Sequence, residues 1–115
     1  MKLDLPYPHK ALWPNGRAHW GTRATETKKH RQWAHQMAYG QRDRVTLGDG
    51  KVPVRITVHG KASGPLPDAD NASAAAKAYL DGIASALGVN DRTFAAPIVE
   101  YGSARTARFI VEIGL

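Results

Sequence analysis

The chain of 115 residues has no cysteine, so it can form no disulfide framework and no thiolate metal site. That composition fits a reducing compartment, and a cytoplasmic location is expected. No stretch approaches the roughly 20 apolar residues that a membrane span needs. The opening Met1-Lys2-Leu3-Asp4-Leu5-Pro6 carries no apolar run of the secretory kind. No glycine-rich phosphate loop is present. The five histidines do not fall into a ligand pattern. His30 and His35 are five apart and leave a common helix face, so a histidine-held metal is not expected. Acid is scarce as well: 10 Asp and Glu stand against 16 Lys and Arg, a formal net charge of +6. A balance of this sign favours polyanions, nucleic acid above all, although basic proteins without that role are common.

What is present suffices for one modest core. The chain is 43% hydrophobic and of single-domain length. A domain this small is marginal alone and gains from a partner that buries more apolar surface. Leu3, Leu5 and Tyr7 alternate with polar neighbours, which predicts a short strand closed by Pro6 and Pro8. Pro14-Asn15-Gly16-Arg17 predicts a loop. Thr25 has the character of an N-cap for a helix through Lys28–Tyr39, with Trp33, Ala34 and Met37 as its apolar edge and Gly40 as its stop. The half before residue 50 is otherwise coil-rich, and DNA or a partner is expected to order part of it.

Val52, Val54, Ile56 and Val58 form the clearest period-two pattern. Pro53 marks an edge strand or a strand beginning. Lys61–Pro67 predicts a loop. Ala72–Leu87 predicts the strongest helix, capped by Asp70 or Asn71 and ended by Gly88. Its apolar stripe is Ala76, Leu80, Ile83 and Leu87. Strands over Ile98–Tyr101 and Ala107–Ile113 follow, joined at Gly102-Ser103. The order predicts one α+β domain over residues 1–115, a mixed sheet with two main helices.

The segment that carries chemistry is Pro67-Asp68-Ala69-Asp70-Asn71, the helix after it, and Asn90-Asp91-Arg92. In an extended segment Asp68 and Asp70 point the same way, and two converging carboxylates call for a hard cation. Such an ion activates water and stabilises charge at phosphorus. The same residues also read as plain N-capping, since Asp-x-Asp alone is a weak signal. Lys77 lies about two helical turns after Asp70, on the same face, and is expected to lean back toward the acids. Asp81, four residues beyond, can pair with Lys77, which is also an ordinary surface arrangement.

From Asp68 to Arg92 the sequence resembles the RusA family of Holliday-junction resolvases. The shared features are Asp-x-Asp-Asn, a helical Lys followed four later by Asp, and an acid after the helix. The resemblance implies a RusA-like fold with Asp68, Asp70, Lys77 and Asp91 as catalytic residues, the three aspartates holding Mg²⁺ or Mn²⁺, and Asn71 and Asp81 in support. It implies a homodimer that nicks four-way, branched DNA, in a bacterial, phage or prophage setting. The opening Leu5-Pro6-Tyr7-Pro8 and Asn15 resemble the family more loosely. Three features depart from it. The stretch before Lys77 is longer by about one helical turn. Asn90-Asp91 stands where an acidic pair is common. Glu100 stands where a positive residue is often found.

Asn15, Arg17, Lys61, Arg92 and Arg105 are the candidate DNA contacts, with Arg108 a further phosphate contact. Trp13 and Trp20, set among Lys10, Arg17 and Arg23, read either as core anchors or as stacking partners for unpaired bases. A helix over residues 71 to 87 is roughly 24 Å long, while the four steps on to Asp91 return at most about 14 Å. Asp91 is therefore expected to miss Asp70 of its own chain. Two helices packed antiparallel through the Ala76–Leu87 stripe would bring it to Asp68 and Asp70 of a second copy. The alternative fate of that stripe is to pack on the chain's own sheet.

Overall fold

A computed structural model describes residues 1–114. Strands β1 (Lys2–Pro6), β2 (Val54–His59), β3 (Ile98–Tyr101) and β4 (Arg108–Ile113) form one sheet in the order β1-β4-β2-β3. The pairs β1–β4 and β4–β2 are antiparallel, and β2–β3 is parallel. This is a mixed-sheet α+β domain. Alternation along the strands sets its two faces. Leu3, Leu5, Val54, Ile56, Val58, Phe109, Val111 and Ile113 are buried beneath the helices. Asp4, Arg55, Thr57, Glu100, Arg108 and Glu112 occupy the opposite face, where Asp4 pairs with Arg108 at 2.7 Å and Arg55 with Glu100 at 3.5 Å. Glu100 thus compensates an arginine on the neighbouring strand whose Nε is otherwise buried without a hydrogen bond. Pro53 marks a strand beginning rather than an edge, since β2 lies between β4 and β3.

The helices are α1 (Trp20–Tyr39), α2 (Ala69–Ala75) and α3 (Lys77–Leu87). The half before residue 50 is less coil-rich than its sequence suggests, because α1 starts well before Thr25. Its cap is His19, whose Nδ1 accepts from the Gly21 amide at 3.0 Å. Thr25 instead donates to the Gly21 carbonyl at 2.9 Å within the helix. Ala34 is buried, Trp33 half-buried and Met37 exposed.

Small residues let α1 and α3 approach closely. A Cβ built on Gly82 would stand 2.2 Å from the Arg31 carbonyl oxygen, so the backbones meet where only glycine fits. Near that crossing His30 is 2% exposed. Its Nε2 accepts from the His9 amide at 3.1 Å, and its Nδ1 donates to the Glu26 carbonyl at 2.7 Å. Burial pushes its pKa below the ordinary imidazole value. Tyr79 is fully buried and donates to the Pro6 carbonyl at 2.6 Å, tying α3 to the end of β1.

The expected single helix over Ala72–Leu87 is two. The chain breaks at Ala76, whose amide is shared between the Ala72 and Ser73 carbonyls at 3.1 and 3.2 Å. The cap is Asp68 rather than Asp70 or Asn71. Gly88 ends α3 in the left-handed region at φ 69°, as its position predicts. The stripe is spent inside the chain: Ala76 and Ile83 are core residues, and Leu80 and Leu87 pack against that core. It is not available to join two copies.

Candidate functional site

The acidic motif falls into two groups, not one. Asp68 sits in extended backbone just before α2. One of its oxygens accepts from the Asn71 amide at 2.8 Å and the other from the Asn71 side-chain amide at 3.2 Å. Asp70 lies in the first turn of α2, so the two acids are not consecutive same-side residues of a strand, and the extended-segment argument for their convergence fails. Both are exposed. The Tyr101 hydroxyl steadies the approach to this group by donating to the Pro67 carbonyl at 2.9 Å.

The second group forms at the start of α3. Lys77 Nζ lies 3.2 Å from Asp81 Oδ2 and 3.9 Å from Asp91 Oδ2. The lysine therefore leans forward along α3, contrary to the expected reach back toward Asp68 and Asp70. A short 3-10 turn over Asp91–Thr93, capped by Asn90, carries Asp91 there. Lys77 and Asp91 remain well exposed, at 69% and 52% of the side chain, and open to a large ligand.

Among the described residues no three histidine, aspartate or glutamate side chains converge as a metal-holding group. Within one chain, Asp68, Asp70 and Asp91 as they stand do not fit a shared ion. Asp81 and Asp91 both face an ammonium, and Asp68 is occupied as a cap.

Two grooves flank these groups. One is lined by Leu12, Arg23, Thr27, Ala74, Lys77 and Asp81, so α1 contributes a cation beside Lys77. Arg23 and Thr27 are the residues that sequence reasoning did not assign here, since only the packing of α1 on α3 brings them near. The other, of about 340 Å³, is lined in part by Asn15, Lys61, Pro67 and Asn71, next to the Asp68 cap. Lys61 stands 5.4 Å over the Tyr7 ring. Arg17 lies on the adjoining surface with Lys10 and His19. Arg92 is exposed beside Asp91.

Two of the expected phosphate contacts serve the fold. Arg105 Nη1 donates to the Lys61 and Gly64 carbonyls at 3.2 and 2.8 Å, stapling the loop before Asp68. Arg108 is held by Asp4. Trp13 stacks on Tyr7 at 5.2 Å, meets Phe109 edge-on and donates to the Pro8 carbonyl, so it is an anchor. Trp20 is 77% exposed.

No family model matches the chain, and no solved structure matches it. An uncharacterized protein of Xylella fastidiosa (strain Temecula1) is 39% identical over 103 residues, covering 87% of this chain and 67% of that protein. The chain belongs to the same family as that protein. Among the described residues no helix is long and apolar enough to cross a membrane.

Proposed function

We propose that the protein is a RusA-like, Mg²⁺- or Mn²⁺-dependent endodeoxyribonuclease. It acts on four-way or otherwise branched DNA in the bacterial cytoplasm, with a bacterial, phage or prophage origin, in recombination and repair. One observation carries the reading: Lys77, Asp81 and Asp91, three positions of the motif, gather on an exposed edge bordered by cations. Asp68 and Asp70 begin the short helix that leads into it. Asp68, Asp70 and Asp91, brought together from two copies, would hold a divalent ion, which would supply an activated water and charge neutralisation at phosphorus. Because the acids of one chain do not converge, the working form in this reading is a homodimer in which Asp91 of one copy approaches Asp68 and Asp70 of the other. The contact lies elsewhere than the buried Ala76–Leu87 stripe. In this reading a bound ion would draw Asp91 away from Lys77 and free the lysine to hold the scissile phosphate.

A second reading is favoured by a specific feature. Asp68 caps α2 with one oxygen and holds the Asn71 side chain with the other, which suits a non-catalytic basic nucleic-acid-binding protein whose acids are structural.

Incubation with a labelled four-way junction separates the two. The nuclease cleaves with Mg²⁺ or Mn²⁺ and stops with chelator. Asp70→Asn and Asp91→Asn each lose at least about 100-fold in rate, the size of losing a group that acts on charge at the reacting centre, while junction binding persists. Binding without cleavage under either ion overturns the nuclease reading and leaves the second one.

A further inference from the structure

The positive charge of this chain is concentrated in one segment. Residues 5–42 carry seven Lys and Arg against the single acid Glu26, while the rest carries nine against nine. The whole formal excess of +6 therefore sits on the segment that runs from the N-terminal loop through α1 to Arg42 just beyond it. Glu26 is turned toward Lys29 and His30, on the packed side of the helix. Arg17, Arg23, Lys28 and Arg31 have no carboxylate partner among the described residues.

Trp20 stands in the middle of this charge. It shares a shallow surface groove with Arg23, Ala24, Thr27, Lys28 and Arg31. Its ring is steadied by His19, at 5.4 Å between centroids. His19 is itself held by its capping bond to Gly21. Trp13 and Trp33 pack against the core, whereas Trp20 has no such role. A large aromatic face held outward among unpaired cations matches the two halves of a nucleotide, a base to stack and a phosphate to neutralise. Arg31, three residues after Lys28, shares its face, while Arg23, three residues after Trp20, borders the groove from the other side.

We propose that Trp20 is a stacking platform for an unpaired DNA base, with Arg23, Lys28 and Arg31 tracking the single-stranded backbone on either side. Arg23 lines both this groove and the one containing Lys77 and Asp81, so a strand laid along α1 leads to the motif residues. The inference rests on the nucleic-acid part of the proposed function and deepens it, assigning the site that holds the unpaired strand at a branch.

The test titrates the full-length protein with oligothymidylate, oligouridylate and blunt duplex, reading intrinsic tryptophan fluorescence and the anisotropy of a labelled oligonucleotide. Oligothymidylate is expected to quench fluorescence, and Trp20→Ala to remove most of that quenching and weaken binding by about tenfold. Trp20→Phe keeps affinity within about threefold, because a smaller ring still stacks. Arg23→Ala or Lys28→Ala lowers the slope of log affinity against log salt by about 0.7 each. An unchanged denaturation midpoint shows that Trp20→Ala is folded. Wild-type affinity in folded Trp20→Ala, or binding of oligouridylate but not oligothymidylate, overturns the proposal. Strand binding through Trp20 without junction cleavage leaves this proposal standing and removes the nuclease. Cleavage that needs Asp70 and ignores Trp20 does the reverse.

Discussion

The sheet and the first helix use their cations in opposite ways. On the sheet, Arg55 faces Glu100 and Arg108 faces Asp4, and at α3 Lys77 faces two aspartates. Among the described residues, Lys29 is the one cation of α1 with such a partner, while Arg23, Lys28 and Arg31 project without one. A paired cation holds neighbouring elements in register and contributes little net charge. An unpaired one contributes little to the fold and leaves its field available to an anion. Composition alone cannot make that distinction, since both regions are rich in arginine.

If the contrast is right, stability resides in the packed layer and binding in the open one, and substitutions should divide accordingly. Gly82→Val should be the most damaging. It drives a side chain into the Arg31 carbonyl and parts α1 from α3, costing about 3 kcal/mol in urea denaturation. Tyr79→Phe should cost about 1.5 kcal/mol by leaving the Pro6 carbonyl without its donor. Asp68→Ala should cost about 1 kcal/mol as a lost cap, whereas Asp68→Asn should be close to neutral, since asparagine caps as well as aspartate. Loss of junction cleavage in a fully stable Asp68→Asn would separate ligand from cap. Asp4→Asn should cost about 0.5 kcal/mol, because its ion pair is solvent-exposed. Lys28→Ala should move the denaturation midpoint least, by less than about 0.5 kcal/mol, while still weakening oligothymidylate binding. A large stability loss there would erase the contrast between the two regions.

The parts legible in the sequence are those governed by local pattern. The alternation at Val54, Ile56 and Val58 marks a half-buried strand. Gly88 marks a helix end because few other residues take φ 69° at no cost. The break at Ala76 was not legible, because the alanine-rich run around it has neither proline nor glycine and its cause is packing. The start of α1 was hidden because histidine is an unusual cap and Gly21 follows at once. At the site, the Lys77–Asp81 pair follows from helical spacing. The arrival of Asp91 at Lys77 depends on the 3-10 turn after Gly88, and Arg23 on the crossing of two helices, neither of which is written in local spacing. The stripe failed as an intermolecular seam because a domain this small needs Ile83 and Ala76 for its own core.

His30 is held as a relay between helix and loop, receiving a proton from one side and giving one to the other. That role exists only for the neutral ring, since an imidazolium has two N–H groups and no lone pair for the His9 amide. Glu26, 3.8 Å away, favours the charged ring, while burial, His9 and Lys29 oppose it. The folded form therefore titrates below the unfolded value of 6.5. This contribution is fully present above that value and fades as acidity rises through the lower, native one. Mild acid should thus loosen the Pro8–Trp13 segment from α1 first, with the amide of His9 gaining hydrogen exchange before those of β2 or β4.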